Sequence, residues 1–106
     1  MFTYAVPQRA KLPSVYSLSQ NIPNPFNPVT TIRYEVPAPG GAVAIRIYNV
    51  AGQLVKTVMN SFRAPGQYEL LWRGDDTRGN AVASGVYFMQ MTAPQFQKIR
   101  KMVLLK

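Results

Sequence analysis

The chain has 106 residues, enough for one domain with one core, which at this size buries roughly 60 to 70% of the surface exposed by the unfolded chain. Cysteine and histidine are absent, which excludes disulfides, thiolate nucleophiles, Cys/His zinc sites and the near-neutral acid–base chemistry of imidazole. Twelve basic residues against four acidic ones give a net charge of +8, a balance that fits plain solubility or an acidic partner such as nucleic acid, anionic lipid or acidic glycan.

Apolar residues make up 47% of the chain, and the abundance of Val, Ile, Tyr and Phe favours strands. No apolar run reaches the roughly 20 residues of a membrane-spanning helix. Residues 1–14 mix single apolar residues with Pro7, Arg9, Lys11 and Pro13 in no period, so they read as a linker or leader. This stretch lacks the apolar core of a secretory signal, and any export signal is expected outside it.

Val15–Gln20 alternates Tyr16, Leu18 and Gln20 against Val15, Ser17 and Ser19, which predicts a short edge strand. Gln20–Pro28 follows, read as Gln-Asn-Ile-Pro-Asn-Pro-Phe-Asn-Pro. Each proline fixes φ and lacks an amide donor, which excludes helix and argues against a strand interior. The run Pro23, Asn24, Pro25, Phe26, Asn27 and Pro28 is therefore expected to form a stiff structural strap, with Phe26 as an aromatic plug closing one end of the domain.

Thr30–Val36 sets Ile32, Tyr34 and Val36 on one face and Thr31, Arg33 and Glu35 on the other, the alternation of a half-buried strand. Pro37–Gly41 is a turn cluster, and Ala42–Asn49 repeats the pattern with Val43, Ile45 and Ile47 inward. These two strands are predicted to pair as antiparallel neighbours. Beyond Ala51 and Gly52, Gln53–Met59 reads as a more exposed strand and Asn60–Gly66 as a turn. Gln67–Arg73 places Tyr68, Leu70 and Trp72 on one side, Trp72 being the largest apolar group available to the core.

Gly74–Asn80 is dense in turn-forming residues. Ser84–Thr92 sets Tyr87, Met89 and Met91 on one face and is closed by Pro94. In Gln97–Lys106 apolar residues fall on both faces, Ile99, Val103 and Leu105 against Met102 and Leu104, so both faces are expected to be partly buried. About seven short strands with turn signals every 8 to 12 residues make an all-β, Ig-like or fibronectin III-like antiparallel sandwich over residues 15–106. Tyr87, two residues before Met89, occupies the place of a tyrosine corner, with Met89 where a core cysteine is common.

Little in the chain carries reaction chemistry. Asp75, Asp76 and Asn80 lack the spacing of a calcium loop, Arg78 lies among them and no glutamate closes the set, so a turn is the better reading. Glu35 and Glu69 fall at outward strand positions, where cross-strand charge pairing is favoured over an acid–base pair. No phosphate loop, nucleophile motif or metal signature occurs. The expectation is a non-enzyme without catalytic residues, metal or cofactor. Lys98, Arg100, Lys101 and Lys106 with Phe96 could meet nucleic acid, but no recognised nucleic-acid module is present; a basic, amphipathic terminal strand fits better as an element read by another protein.

Several blocks carry a family resemblance: Leu18–Pro28, Thr30–Tyr34, Val43–Tyr48, Gly52, Trp72–Asp75, Gly79, Ser84–Tyr87 and Lys101–Lys106. In this order they resemble the C-terminal sorting domain of the type IX (Por) secretion system, and they are similar also to the Ig-like domain of the flagellar hook-capping protein. The resemblance covers about residues 15–106. It implies a β-sandwich joined to an upstream cargo and carried through an outer-membrane translocon of Bacteroidetes-like bacteria to the cell surface. It also implies removal of the domain by a sortase-like peptidase that attaches the cargo to anionic lipopolysaccharide. Recognition in that family centres on the last strand, which by position is Lys101, Met102, Val103, Leu104, Leu105 and Lys106 here. The alternative is an Ig-like structural subunit docking on a larger extracellular or membrane-associated assembly.

Overall fold

A computed structural model describes residues 12–106; the expected leader lies outside the described residues apart from its end. The strands are β1 (Ser17–Leu18), β2 (Thr30–Val36), β3 (Gly41–Asn49), β4 (Leu54–Arg63), β5 (Gly66–Trp72), β6 (Gly85–Ala93) and β7 (Phe96–Leu104). They form a three-stranded sheet in the order β1-β2-β5 and a four-stranded sheet in the order β4-β3-β6-β7. Every strand pair is antiparallel. This is an immunoglobulin-like, fibronectin III-like β-sandwich. Among the described residues no helix is long and apolar enough to cross a membrane.

The core is the meeting of two inner faces. Ile32, Tyr34 and Val36 of β2, with Leu18 and Trp72 beside them, face Val43, Ile45 and Ile47 of β3, Met89 and Met91 of β6, and Met102 and Leu104 of β7. Each fully buried large side chain contributes about 1.5 to 3 kcal/mol against water exposure, much of it offset by chain ordering. Four of the five methionines, Met59, Met89, Met91 and Met102, are in this core. Unbranched thioethers fill the irregular space between twisted sheets where β-branched residues fit poorly.

Four readings of the sequence need correction. First, β2 and β3 are not neighbours; they lie in opposite sheets. Their apolar faces look at each other across the core, and Pro37 and Pro39, which lack amide donors, cannot open a ladder between them. The chain instead turns through Gly40, whose φ of +90° and whose position, where a Cβ would stand 2.6 Å from the Arg63 carbonyl oxygen, both require glycine.

Second, β4 does not stop at Met59 but pairs with β3 through Gly41↔Arg63, so the turn is confined to Ala64 and Pro65. Irregularities in the pairing fall between Ile45 and Arg46 and between Ile47 and Tyr48. Such bulges bend an edge strand and blur its alternation. Third, the two faces at the end of β7 are not covered alike: the outward side is partly buried as expected, with Val103 half-buried and Ile99 and Leu105 about half exposed, whereas Met102 and Leu104 opposite are fully covered. Fourth, the first edge strand is shorter than Val15–Gln20, with only Ser17 and Leu18 paired to Glu35 and Tyr34.

Tyr87 lies at the start of β6 and its hydroxyl donates to the Ala83 carbonyl at 2.6 Å, the hydrogen bond of a tyrosine corner. Its ring meets Trp72 edge-on at 5.4 Å. Burial pushes the Tyr87 hydroxyl pKa above its ordinary value. Tyr68 makes the same kind of bond to Ala64 at 2.7 Å and stacks on Tyr34 at 5.2 Å.

Candidate docking site: the terminal strand and the proline strap

The strap and the last strand, distant in sequence, meet along one edge of the sandwich. Phe26 is 2% exposed and its ring packs against Trp72 at 5.5 Å. Its backbone forms an isolated parallel bridge with Leu104: Phe26 N–H donates to the Val103 carbonyl at 3.0 Å and Leu105 N–H donates to the Phe26 carbonyl at 2.9 Å. Asn24 Oδ1 accepts from Val103 N–H at 2.9 Å. Gln20 Nε2 donates to the Lys101 carbonyl at 2.7 Å. A proline-rich segment cannot supply a full ladder of donors, and the side chains of Gln20 and Asn24 supply what the backbone lacks.

The strap is braced from behind by a buried polar knot. Asn21, 1% exposed, donates through Nδ2 to the Pro23 carbonyl at 3.1 Å and to Thr30 Oγ1 at 3.0 Å, while its Oδ1 accepts from Gln20 Nε2 at 2.7 Å. Thr30 Oγ1 donates to the same Pro23 carbonyl at 2.8 Å. Every polar atom of the Asn21 side chain is thus engaged, as burial demands. Pro23, Asn24, Pro25, Asn27 and Pro28 are exposed around these two anchors.

On the terminal strand the six candidate residues divide by face. Met102 and Leu104 are core residues, Val103 is half-buried, and Lys101, Leu105 and Lys106 are exposed. The end of the chain is tied down, since Lys106 N–H donates to Ser84 Oγ at 3.1 Å and its ammonium reaches the Val82 carbonyl. β7 pairs with β6 along its whole length, from Ala93↔Phe96 to Gly85↔Leu104.

The acidic groups are engaged away from this edge. Arg33 Nε and Glu69 Oε2 form an exposed cross-strand pair at 2.7 Å, while Glu35 accepts from Ser17 Oγ at 3.1 Å. Asp75 pairs with Lys56 at 2.8 Å; Asp76 Oδ1 accepts from the backbone of Arg78 and Asn80 at 2.9 Å and so shapes the turn. Among the described residues no cluster of acidic side chains could hold a metal ion. Of the basic residues in the last strand, Arg100 donates to the Leu18 carbonyl at 3.0 Å, and the Phe96 ring is taken up by Tyr16 at 5.7 Å. Gln20, Asn21 and Thr30 were not legible as parts of this site, because a polar residue at or beyond a strand end reads as surface unless its partners are known.

The FlgD Ig-like domain family matches residues 26–95, about two thirds of the chain, starting at the strap phenylalanine and ending before β7. No curated protein matches. Among solved structures, dimeric latent PorU from Porphyromonas gingivalis is similar with a TM-score of 0.69 and 22% identity, covering 88% of this chain and 9% of that one. PorZ, described as an essential bacterial surface component of the type-IX secretion system of the same organism, is similar with a TM-score of 0.59 and 24% identity, covering 84% of this chain and 11% of that one. The chain therefore spans about a tenth of the length of either protein, and likenesses at this identity speak to the fold. The family match covers more than half of the sequence: the chain belongs to the FlgD Ig-like domain family.

Proposed function

We propose that this domain is a non-catalytic sorting module that directs an attached protein through the type IX secretion system to the cell surface, by presenting its terminal strand to the translocon. The observation that carries the reading is the division of labour in the last residues. Met102 and Leu104 hold the strand in the core while Lys101, Leu105 and Lys106 stand at the surface. The strap lies along the backbone edge of that strand, so the strand offers a partner its outward side chains. The fold shared with PorU and PorZ supports this setting.

Removing Lys101–Lys106 is a poor test, because it also removes two core residues. The test is a reporter preceded by a periplasmic export signal and followed by this chain, produced in a bacterium with a type IX system. The reporter is expected at the surface or in the medium with the chain and in the periplasm without it; periplasmic retention in both cases would sink the reading. Membership of the FlgD Ig-like family favours one alternative, an Ig-like structural subunit docked on a larger extracellular or membrane-associated assembly. Isolation of the native chain in a stable complex with no secretion component would favour that alternative.

A further inference from the structure

The two outer faces of the sandwich differ in chemistry. Glu35 and Glu69 lie on the three-stranded sheet, and the other two acidic residues, Asp75 and Asp76, lie in the loop after β5. The four-stranded sheet therefore carries no acidic residue at all. It does carry basic ones, of which Lys56 is paired with Asp75, Arg63 donates to Tyr34 and Arg100 donates to Leu18. Among the described residues of this sheet, Arg46, Lys98 and Lys101 take part in no ion pair; Lys98 lies beside Tyr16 and Leu18, which leaves Arg46 and Lys101 on the outer face.

Arg46 and Lys101 flank an apolar patch on the outer face of this sheet, which continues past Tyr48 into a shallow depression. The registers Arg46↔Gln90↔Ile99 and Tyr48↔Phe88↔Lys101 form two adjacent rows across β3, β6 and β7. Arg46 and Lys101 stand at opposite corners of that block, with Phe88, Tyr48 and Ile99 between them. The depression has a volume of about 460 Å³ and is lined by Tyr48, Val50, Phe88 and Ile99 among others; Val50 is 74% and Ile99 51% exposed. Half-exposed aromatic and aliphatic groups with an unpaired cation at each of two opposite corners match the composition of a protein-binding patch.

From strand spacing and rise, the two corner residues are about 12 Å apart. An extended segment rises about 13 Å over four residues and points residues i, i+2 and i+4 to the same side. We infer that the outer face of β3, β6 and β7 binds an extended acidic segment of another protein, which seats one apolar side chain on Phe88 and Tyr48 and sets a carboxylate two residues to either side against Arg46 and Lys101. A second copy of the chain is a poor occupant, because two such faces would bring like charges together. The inference deepens the sorting reading by giving its partner a chemistry, and direct binding tests the surface without reference to export, so either can fail alone.

The full chain, isotopically labelled, is titrated with the synthetic peptide Glu-Ser-Leu-Ser-Glu and followed by NMR. Shifts confined to Tyr48, Phe88, Gln90, Ile99 and Lys101, saturating in the millimolar range, are expected. Arg46→Glu and Lys101→Glu should each weaken binding about two- to fivefold, the effect of one exposed ion pair, with the backbone spectrum otherwise retained. The peptide Glu-Ser-Ser-Ser-Glu should bind more weakly still. Absence of shifts, shifts centred on the three-stranded sheet, equal binding of the peptide without leucine, or concentration-dependent shifts of the patch without peptide would each overturn the proposal.

Discussion

Phe26 joins the strap to the core, and its burial follows from local chemistry: a lone aromatic among prolines is the one large apolar group of the strap and has much apolar area to cover. Phe26→Ala leaves a cavity against Trp72 and is expected to cost about 3 to 5 kcal/mol, read from urea midpoints at unchanged slope. A loss below about 1 kcal/mol would contradict this packing. Tyr87→Phe removes the bond to Ala83 and should cost about 1 kcal/mol. Because burial raises the Tyr87 pKa from 10.0, the unfolded chain releases this proton first. The hydroxyl's contribution is therefore complete below the unfolded value and is lost as pH rises through the folded one. Unfolding free energy of the native chain should fall more steeply above about pH 10 than that of Tyr87→Phe; parallel curves would refute the assignment. Tyr87 was legible because its spacing to Met89 is a known local pattern. Asn21 was not, because its burial depends on Thr30 and Pro23 lying behind it.

At the scale of elements, strands with unbroken alternation could be read directly. β2 has the bounds its pattern predicts, β3 begins one residue before its predicted start, and β6 is displaced by one residue at each end. The second half of β4 was hidden because Asn60, Ser61 and Arg63 have turn-like chemistry and the bulges shift its phase. The pairing of β2 with β5 was also hidden. A short connection usually joins neighbours, and nothing local says that Pro37 and Pro39 divert the chain across the core. The union of strap and β7 makes its own prediction. Val103 directs both backbone groups to the strap, so by antiparallel alternation Met102 and Leu104 direct theirs to β6. Asn24→Ala should therefore speed amide hydrogen exchange at Val103 while leaving Met102 and Leu104 protected. Equal acceleration at all three would mean that the strand itself had loosened.

In the whole molecule, an early segment and the last strand complete each other, so neither is a detachable tail. Cooperative two-state unfolding is expected, and truncation after Arg100 should abolish it by removing Met102 and Leu104 from the core. Loss of the sharp thermal transition in that truncated chain is the check. Fold class was open to the sequence because seven patterned segments without helix admit few architectures. The composite surfaces were not, since both the strap edge and the face shared by β3, β6 and β7 exist only once the sheets have formed. The proposed sorting role therefore requires outward side chains held by a folded domain, and Lys101→Glu with Leu105→Ser separates presentation from folding, as both residues are exposed. The most direct measurement is the surface-exposed fraction of a reporter fused to this double variant in a bacterium with a type IX system, beside its melting temperature. Periplasmic retention with an unchanged melting temperature is the predicted result; delivery equal to that of the native chain would contradict it.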